Sequence, residues 1–381
     1  MRNVGLDLGV RHISYCEVKD GKVVDRTAVK SFSQLKSRLG PDAQPARVAF
    51  EACREGWIVH DKLAKWGHEP RMLDTTRIRQ IGVGQHRRKN DPIDAEAIAM
   101  AVDAGRLPLA HVLSPERRAL RAQLSVRDAL VETRTQYVNT IRGLGRAADV
   151  LVPSCATENF VAKVEESSLD AATRALIPPL LTVLKGIESE LAKVEHTLSE
   201  IAMRDPIIKL LATAPGVGLI VASTFVSVID EAKRFKNAQA VGAYLGLVPA
   251  ELTTGGPEKR RLGSITKQGN THARRMLVQA AWRILLSRDA DDPIRQWGER
   301  IAKTRGKRIA VTAIARKLAG VLWAMWRDGT AYDSVGQAKA SASGTRKEAR
   351  SKAMQADALD RVAKKLRRRA PRCSKTSEAA A

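Results

Sequence analysis

The chain has 381 residues, with 65 Lys and Arg against 41 Asp and Glu, a formal net charge of +24. Such an excess is an electrostatic footprint for polyphosphate, so nucleic acid is the first partner it suggests. A membrane surface would also suit the charge, but the sequence has no run of about 18 apolar residues, no secretory pattern and no lipidation motif, which predicts a soluble, cytosolic protein.

Hydrophobic residues make up 44% of the chain, enough for real cores, while aromatics reach only 4%, so base-stacking surfaces should be few. Cys16, Cys53, Cys155 and Cys373 lie far apart with no C-x-x-C pair or matching His spacing. Neither a zinc site nor a disulfide framework is expected from them.

From Met1 to about Arg106 the pattern is α/β. Short β-rich runs (Val4 to Leu8, His12 to Val18, Lys22 to Ala28, Val48 to Glu51, Pro70 to Leu73) alternate with helical stretches at Ile58 to Trp66 and Ile93 to Asp103. Three early strands followed by a helix and another strand predict an antiparallel meander joined to parallel units.

Asp7 is the most informative residue of this region. It interrupts the apolar run Val4-Gly5-Leu6-Asp7-Leu8-Gly9, where a carboxylate is costly to desolvate without a cation or basic partner. Alternation puts it on one face with Gly5 and Gly9. Glu51 ends a second apolar run, and Asp91 and Asp94 open a helix in Asn90-Asp91-Pro92-Ile93-Asp94 with the spacing that shares one helix side. Their oxygen donors suit one or two Mg²⁺ (or Mn²⁺) ions, which clamp attacking and leaving oxygens in phosphoryl transfer. Taken singly, Asp91 and Asp94 also suit helix capping, and Glu51 a solvated strand end.

Beyond Ser114 strand signals vanish. Ser114-Pro115-Glu116 starts a helix carrying Leu120, Leu124, Leu130, Val138 and Ile141 at near-helical spacing. A second long helix is predicted from about Leu176 to Ile201, the two broken at Val152-Pro153-Ser154 and reading as a coiled-coil or bundle spacer. A second compact, mostly helical domain follows from Asp205. Its Ala214-Pro215-Gly216-Val217-Gly218 turn between helices offers backbone N–H groups at Gly216 and Gly218 to a phosphate, or is a plain helical hairpin. Lys259, Arg260, Arg261, Lys267, Arg274 and Arg275 cluster further on, as phosphate contacts or as a solvated face. The Ala-, Ser- and Lys/Arg-rich tail is expected to lack a fixed fold of its own.

Gly5-Leu6-Asp7-Leu8-Gly9, Phe50-Glu51-Ala52 and Lys89-Asn90-Asp91-Pro92-Ile93-Asp94-Ala95 resemble the DEDD signature of the insertion sequence 110 family of transposases, which includes the Piv-type invertases. The segments Phe235 to Pro249 and Leu262 to Asn270 resemble that family's C-terminal transposase domain. The resemblance implies a RuvC-like (RNase H-like) domain over residues 1–112, a helical spacer for oligomerisation over 113–204, a transposase domain over 205–330 and a basic tail over 331–381. It implies that Asp7, Glu51, Asp91 and Asp94 hold the metal, that members work on donor and target DNA as multimers, tetramers in the family pattern, and that many are guided by a structured noncoding RNA. A cytoplasmic, nucleoid-associated bacterial protein is implied as well. Where the family carries a nucleophilic Ser before the first Gly of a loop, this chain has Thr254, preceded by Thr253 and followed by Gly255. Ser264 is a second candidate hydroxyl.

Overall fold

The computed structural model describes residues 1–78, 91–251, 261–287, 292–333 and 360. The chain divides into two compact units, Met1–Leu113 and Ser114–Ala381.

The first unit is built on a five-stranded sheet of β1 (Arg2–Leu8), β2 (Ile13–Lys19), β3 (Lys22–Val29), β4 (Ala46–Glu51) and β5 (Glu69–Leu73), in the order β3-β2-β1-β4-β5. The first three strands form the expected antiparallel meander, and β4 and β5 join β1 in parallel. Alternation divides the side chains between two faces. Val4, Leu6, Tyr15, Val48 and Phe50 pack with Leu39 of the short α1 (Lys36–Leu39) and with Val59 and Leu63 of α2 (Gly56–Lys65). The opposite face is covered by α3 (Asp91–Asp103), whose Ala95, Ile98, Ala99 and Val102 pack with Cys16, Val18, Ala49 and Leu73.

At the start of β1, Arg2 donates to Glu17 through Nε (2.9 Å) and Nη2 (2.6 Å), and the Tyr15 hydroxyl donates to the same carboxylate at 2.6 Å. The guanidinium holds Glu17 below the usual carboxylate range, while burial pushes the Tyr15 phenol upward. This bidentate bond pins the end of the sheet opposite Asp7.

In the second unit, α4 (Pro115–Ala147, 33 residues) and α7 (Pro178–Arg204, 27 residues) form an antiparallel pair. Leu120 and Leu124 share one core with Leu198 and Ala202, whereas Ile141 shares another with Leu184. The far end is closed by α5 (Phe160–Glu165) and α6 (Ala171–Leu176), short helices that periodicity did not announce. Ser114 does not cap α4 with its side chain; its hydroxyl donates instead to Asp230 Oδ1 at 2.7 Å.

The rest is a helical core of α8 (Pro206–Leu211), α9 (Leu219–Ile229), α10 (Ala238–Tyr244), α11 (Thr271–Leu285), α12 (Pro293–Arg305) and α13 (Lys307–Asp328). The mostly helical expectation acquires one addition, an antiparallel hairpin of β6 (Pro249–Glu251) and β7 (Leu262–Ile265). By length and composition α13 could cross a membrane, although Arg316 and Lys317 interrupt its apolar sequence. Its Val311, Ile314, Leu318 and Leu322 belong to the core of this unit. The tail expectation concerns residues outside the described ones, apart from 331–333 and 360.

Candidate active site

Along β1, Asn3, Gly5 and Asp7 share the face covered by α3. Asn3 Nδ2 donates to Asp103 Oδ1 at 2.8 Å, which fixes the C-terminal end of α3 at the start of the strand. Gly5 lies beneath the helix so closely that an added Cβ would meet Ala95 O at 2.2 Å and Ala99 N at 2.5 Å. Only a residue without a side chain permits this approach.

The helix therefore runs back along the strand, from Asp103 over Asn3 to Ala99 and Ala95 over Gly5. Two strand residues span about 6.8 Å, or about four to five residues of helix. The next step brings the N-terminal turn of α3, with Asp94, level with Asp7. Asp94 precedes the sheet-facing Ile98 by one helical turn and is partly buried. The parallel register pairs Leu6 with Phe50, one residue short of Asp7 and Glu51. Ala49 packs under α3, so Glu51, two residues on, faces the same way.

The register thus brings Asp7, Glu51 and Asp94 to one end of one sheet face, each partly buried. Among the described residues, no group of three or more His, Cys, Asp or Glu side chains is gathered tightly enough to hold a metal ion. Asp91 is the first residue of α3, and its side chain lies outside the described ones. Asp7, Glu51 and Asp94 bring carboxylate oxygens to this face, the chemistry that hard divalent cations take. Beyond Asp7, Gly9 and Val10 are exposed, leaving this end of β1 open to solvent.

In the second unit the two turn glycines differ. Gly216 has φ 69° and abuts α11, where an added Cβ would meet Ala280 O at 2.7 Å. Gly218, the N-cap residue of α9, faces open space. Thr253, Thr254, Lys259 and Arg260 lie outside the described residues. Ser264 is exposed on β7, and Arg261 and Lys267 are exposed as well.

Arg274 and Arg275 have work within the fold. Arg274 Nη1 donates to Leu245 O at 3.2 Å. Arg275 pairs with Asp128 and, at 2.7 Å, with Glu132 of α4.

The same carboxylate of Asp128 lies 3.1 Å from His272 Nδ1, and His272 Nε2 lies 3.4 Å from Thr224 Oγ1. Burial lowers the His272 pKa, and Asp128 opposes that shift. The order hydroxyl, imidazole, carboxylate is that of a nucleophile and its base. Thr224, however, is 2% exposed and donates to Ile220 O at 2.7 Å, so the group acts as a cross-link between α4, α9 and α11. Sequence reading missed it because its members lie far apart in the chain.

Comparison with known proteins defines the class. A transposase family model of the DEDD type found in IS110 elements matches residues 4–144, and one for the transposase IS116/IS110/IS902 family matches residues 208–295. A probable family 20 transposase of Pseudomonas aeruginosa is 30% identical over 300 residues, spanning 76% of this chain and 86% of the relative. The transposase for insertion sequence element IS1328 of Yersinia enterocolitica is 27% identical over 86% of this chain and 98% of its own length. That for IS1111A of Coxiella burnetii is 29% identical over 84% of this chain and 88% of its own. The protein is a transposase, an enzyme that processes DNA. Specifically, the chain belongs to the IS116/IS110/IS902 family of transposases.

Proposed function

We propose that this transposase cuts and rejoins DNA strands with a metal-binding acidic quartet, Asp7, Glu51, Asp91 and Asp94, and a hydroxyl nucleophile, Thr254. The single observation that carries the reading is the register bringing Asp7, Glu51 and Asp94 to one end of one sheet face. The order β3-β2-β1-β4-β5 with β2 antiparallel is the topology an RNase H-like, RuvC-like domain requires, and it supports the same reading.

Mg²⁺ or Mn²⁺ bound by the quartet would neutralise charge on the non-bridging oxygens of the scissile phosphate. The protein's own part is to present those carboxylates from a rigid sheet and helix, and to bring Thr254 to the phosphate. Attack by Thr254 Oγ forms a threonine–phosphorus ester and breaks the P–O bond to the leaving strand, whose oxygen takes a proton. A strand-end hydroxyl then attacks the ester, rejoining the DNA and restoring Thr254. The β-methyl of Thr restricts χ1, so this reaction is expected to be slower than with Ser.

The assembly is a homo-oligomer, a tetramer in this reading, with the paired α4 and α7 extending into an intermolecular coiled coil. Phosphate contacts fall to the turn at Gly218 and to Lys259, Arg260, Arg261 and Lys267, whereas Gly216, Arg274 and Arg275 are engaged within the fold. A structured guide RNA engages the basic tail, and the complex works in the cytoplasm at the nucleoid.

The test is incubation of purified protein, co-expressed with its flanking noncoding DNA, with labelled donor and target DNA and Mg²⁺. A protein-linked strand lost in both Asp7→Asn and Thr254→Ala is the expected result. Free ends that require Asp7 but not Thr254 would replace it with a metal-dependent nuclease or junction resolvase. No metal-dependent product at all would leave a decayed nucleic-acid-binding protein.

A further inference from the structure

The α12–α13 corner carries an exposed cluster of cations to which nothing above assigns a role. From Lys303 to Ile309 every residue is exposed, including Lys303, Arg305, Lys307 and Arg308, and Arg300 is exposed one turn earlier on α12. No acid stands between Arg300 and Ile309, and the first turn of α13 contains none. Among the described residues none of these five side chains has an ion-pair partner, and the nearest acid in sequence, Glu299, is taken by Arg295 at 2.9 Å. Elsewhere in the unit, cations such as Arg117, Arg127 and Arg275 are matched to carboxylates.

The corner is also rigid and open. A single residue, Gly306, joins the helices at φ 85° and ψ 156°, a conformation reserved for glycine. Gly298 of α12 lies so close to Ile314 of α13 that an added Cβ would meet Ile314 Cδ1 at 2.3 Å. The helices are therefore locked together eight residues to either side of Gly306. At Gly306 itself an added Cβ would meet nothing within 4 Å, so another backbone has room to approach.

Lys307 and Arg308 stand where a helix dipole favours anions, and their charges add to the field of its exposed N–H groups rather than offsetting it. Unmatched cations on a rigid convex corner repel one another in the free protein and are neutralised by an external row of negative charge. The regular spacing of phosphates supplies such a row.

We infer that the α12–α13 corner, through Arg300, Lys303, Arg305, Lys307 and Arg308, is a sequence-independent docking site for the phosphodiester backbone of duplex DNA. This surface lies beyond residues 4–144 and 208–295, the segments matched by the family models. The choice of DNA rests on the transposase reading; the existence of a polyanion site does not.

The test uses the full-length protein and a short fluorescent DNA duplex of arbitrary sequence, with affinity measured by anisotropy over a salt series. The variant replaces Lys303, Arg305, Lys307 and Arg308 by Gln. A matched control replaces Lys19, Lys22, Lys30 and Lys65, all exposed, by Gln. Each contact contributes about 0.9 to the slope of log affinity against log salt, so the corner variant should lose about 3–4 from the slope and bind about 100-fold more weakly at low salt. The control should keep most of both, and melting temperatures should agree, since the substituted side chains are exposed.

A corner variant with the wild-type slope overturns the inference, as does a control that loses as much. A slope lost for a structured RNA but kept for the duplex overturns the choice of DNA. The same preparations are assayed for the protein-linked strand. An adduct in wild type with an unchanged corner slope sinks the corner alone, and a reduced slope without any strand cleavage sinks the catalytic reading alone.

Discussion

Gly5→Ala tests the step on which the candidate site depends, the close seating of α3 on β1. The added methyl would lie 2.2 Å from Ala95 O and 2.5 Å from Ala99 N, both backbone atoms that no rotamer change can move. Ordinary contact for carbon begins at about 3.5 Å, so α3 must retreat by roughly 1 Å. Overpacking of this kind costs about 1–3 kcal/mol. Because α3 carries Asp94 and β1 carries Asp7, the retreat also opens the gap between them, and a displacement of about 1 Å at reacting groups lowers rate by about 100-fold.

The measurements are thermal unfolding of the full chain and Mg²⁺-dependent cleavage of labelled DNA at a temperature where the variant is folded. Gly186→Ala is the control. It lies within α7 with nothing within 4 Å of an added Cβ, so it should stabilise by about 0.5–1 kcal/mol and leave cleavage unchanged. Wild-type melting in Gly5→Ala would refute the close packing. Reduced stability with undiminished cleavage would refute the placement of the site under α3.

Two further outcomes follow from the second unit. Gly216→Ala, forced to carry a side chain at φ 69° and 2.7 Å from Ala280 O, should lose about 1–3 kcal/mol, whereas Gly218→Ala, unobstructed but a poorer N-cap, should lose no more than about 1 kcal/mol and bind duplex DNA more weakly; a larger loss in Gly218→Ala than in Gly216→Ala, or unchanged binding by Gly218→Ala, would contradict that division of roles. His272 has a folded-state pKa below its unfolded value of about 6.5, because burial disfavours its charged form. The unfolded chain therefore binds its proton more readily, and the stabilisation is present above about pH 6.5 and lost as pH falls through the folded pKa. Melting temperatures between about pH 5 and 8 should fall more steeply toward acid for wild type than for His272→Gln, and identical slopes would remove His272 as the titrating group.

Local patterning in the chain specifies most of the elements and the order of the acids. Strand alternation around Asp7 and the helical pattern beginning at Asp91 depend on neighbours within a few residues, so β1 to β5 and α3 fall close to where the pattern puts them. The long helices α4 and α7 were legible for the same reason, with Pro115 at the first helical position of α4. Short α5 and α6 and the β6–β7 hairpin were not, since these elements offer too few residues for a period to emerge.

Which face and which partner each side chain meets comes instead from the packing of the whole chain. Gly5 shares a face with Asp7 by alternation alone, and the fold seats the backbone of α3 directly on it. Gly216 and Gly218 look alike in the sequence, yet one packs against α11 and the other opens to solvent. Arg275 belongs to a basic run in the sequence and to Asp128 and Glu132 in the fold. Periodicity reports the side of an element that is buried, whereas ion pairs and close approaches join residues far apart in the chain, whose proximity is set by the packing of whole helices and sheets.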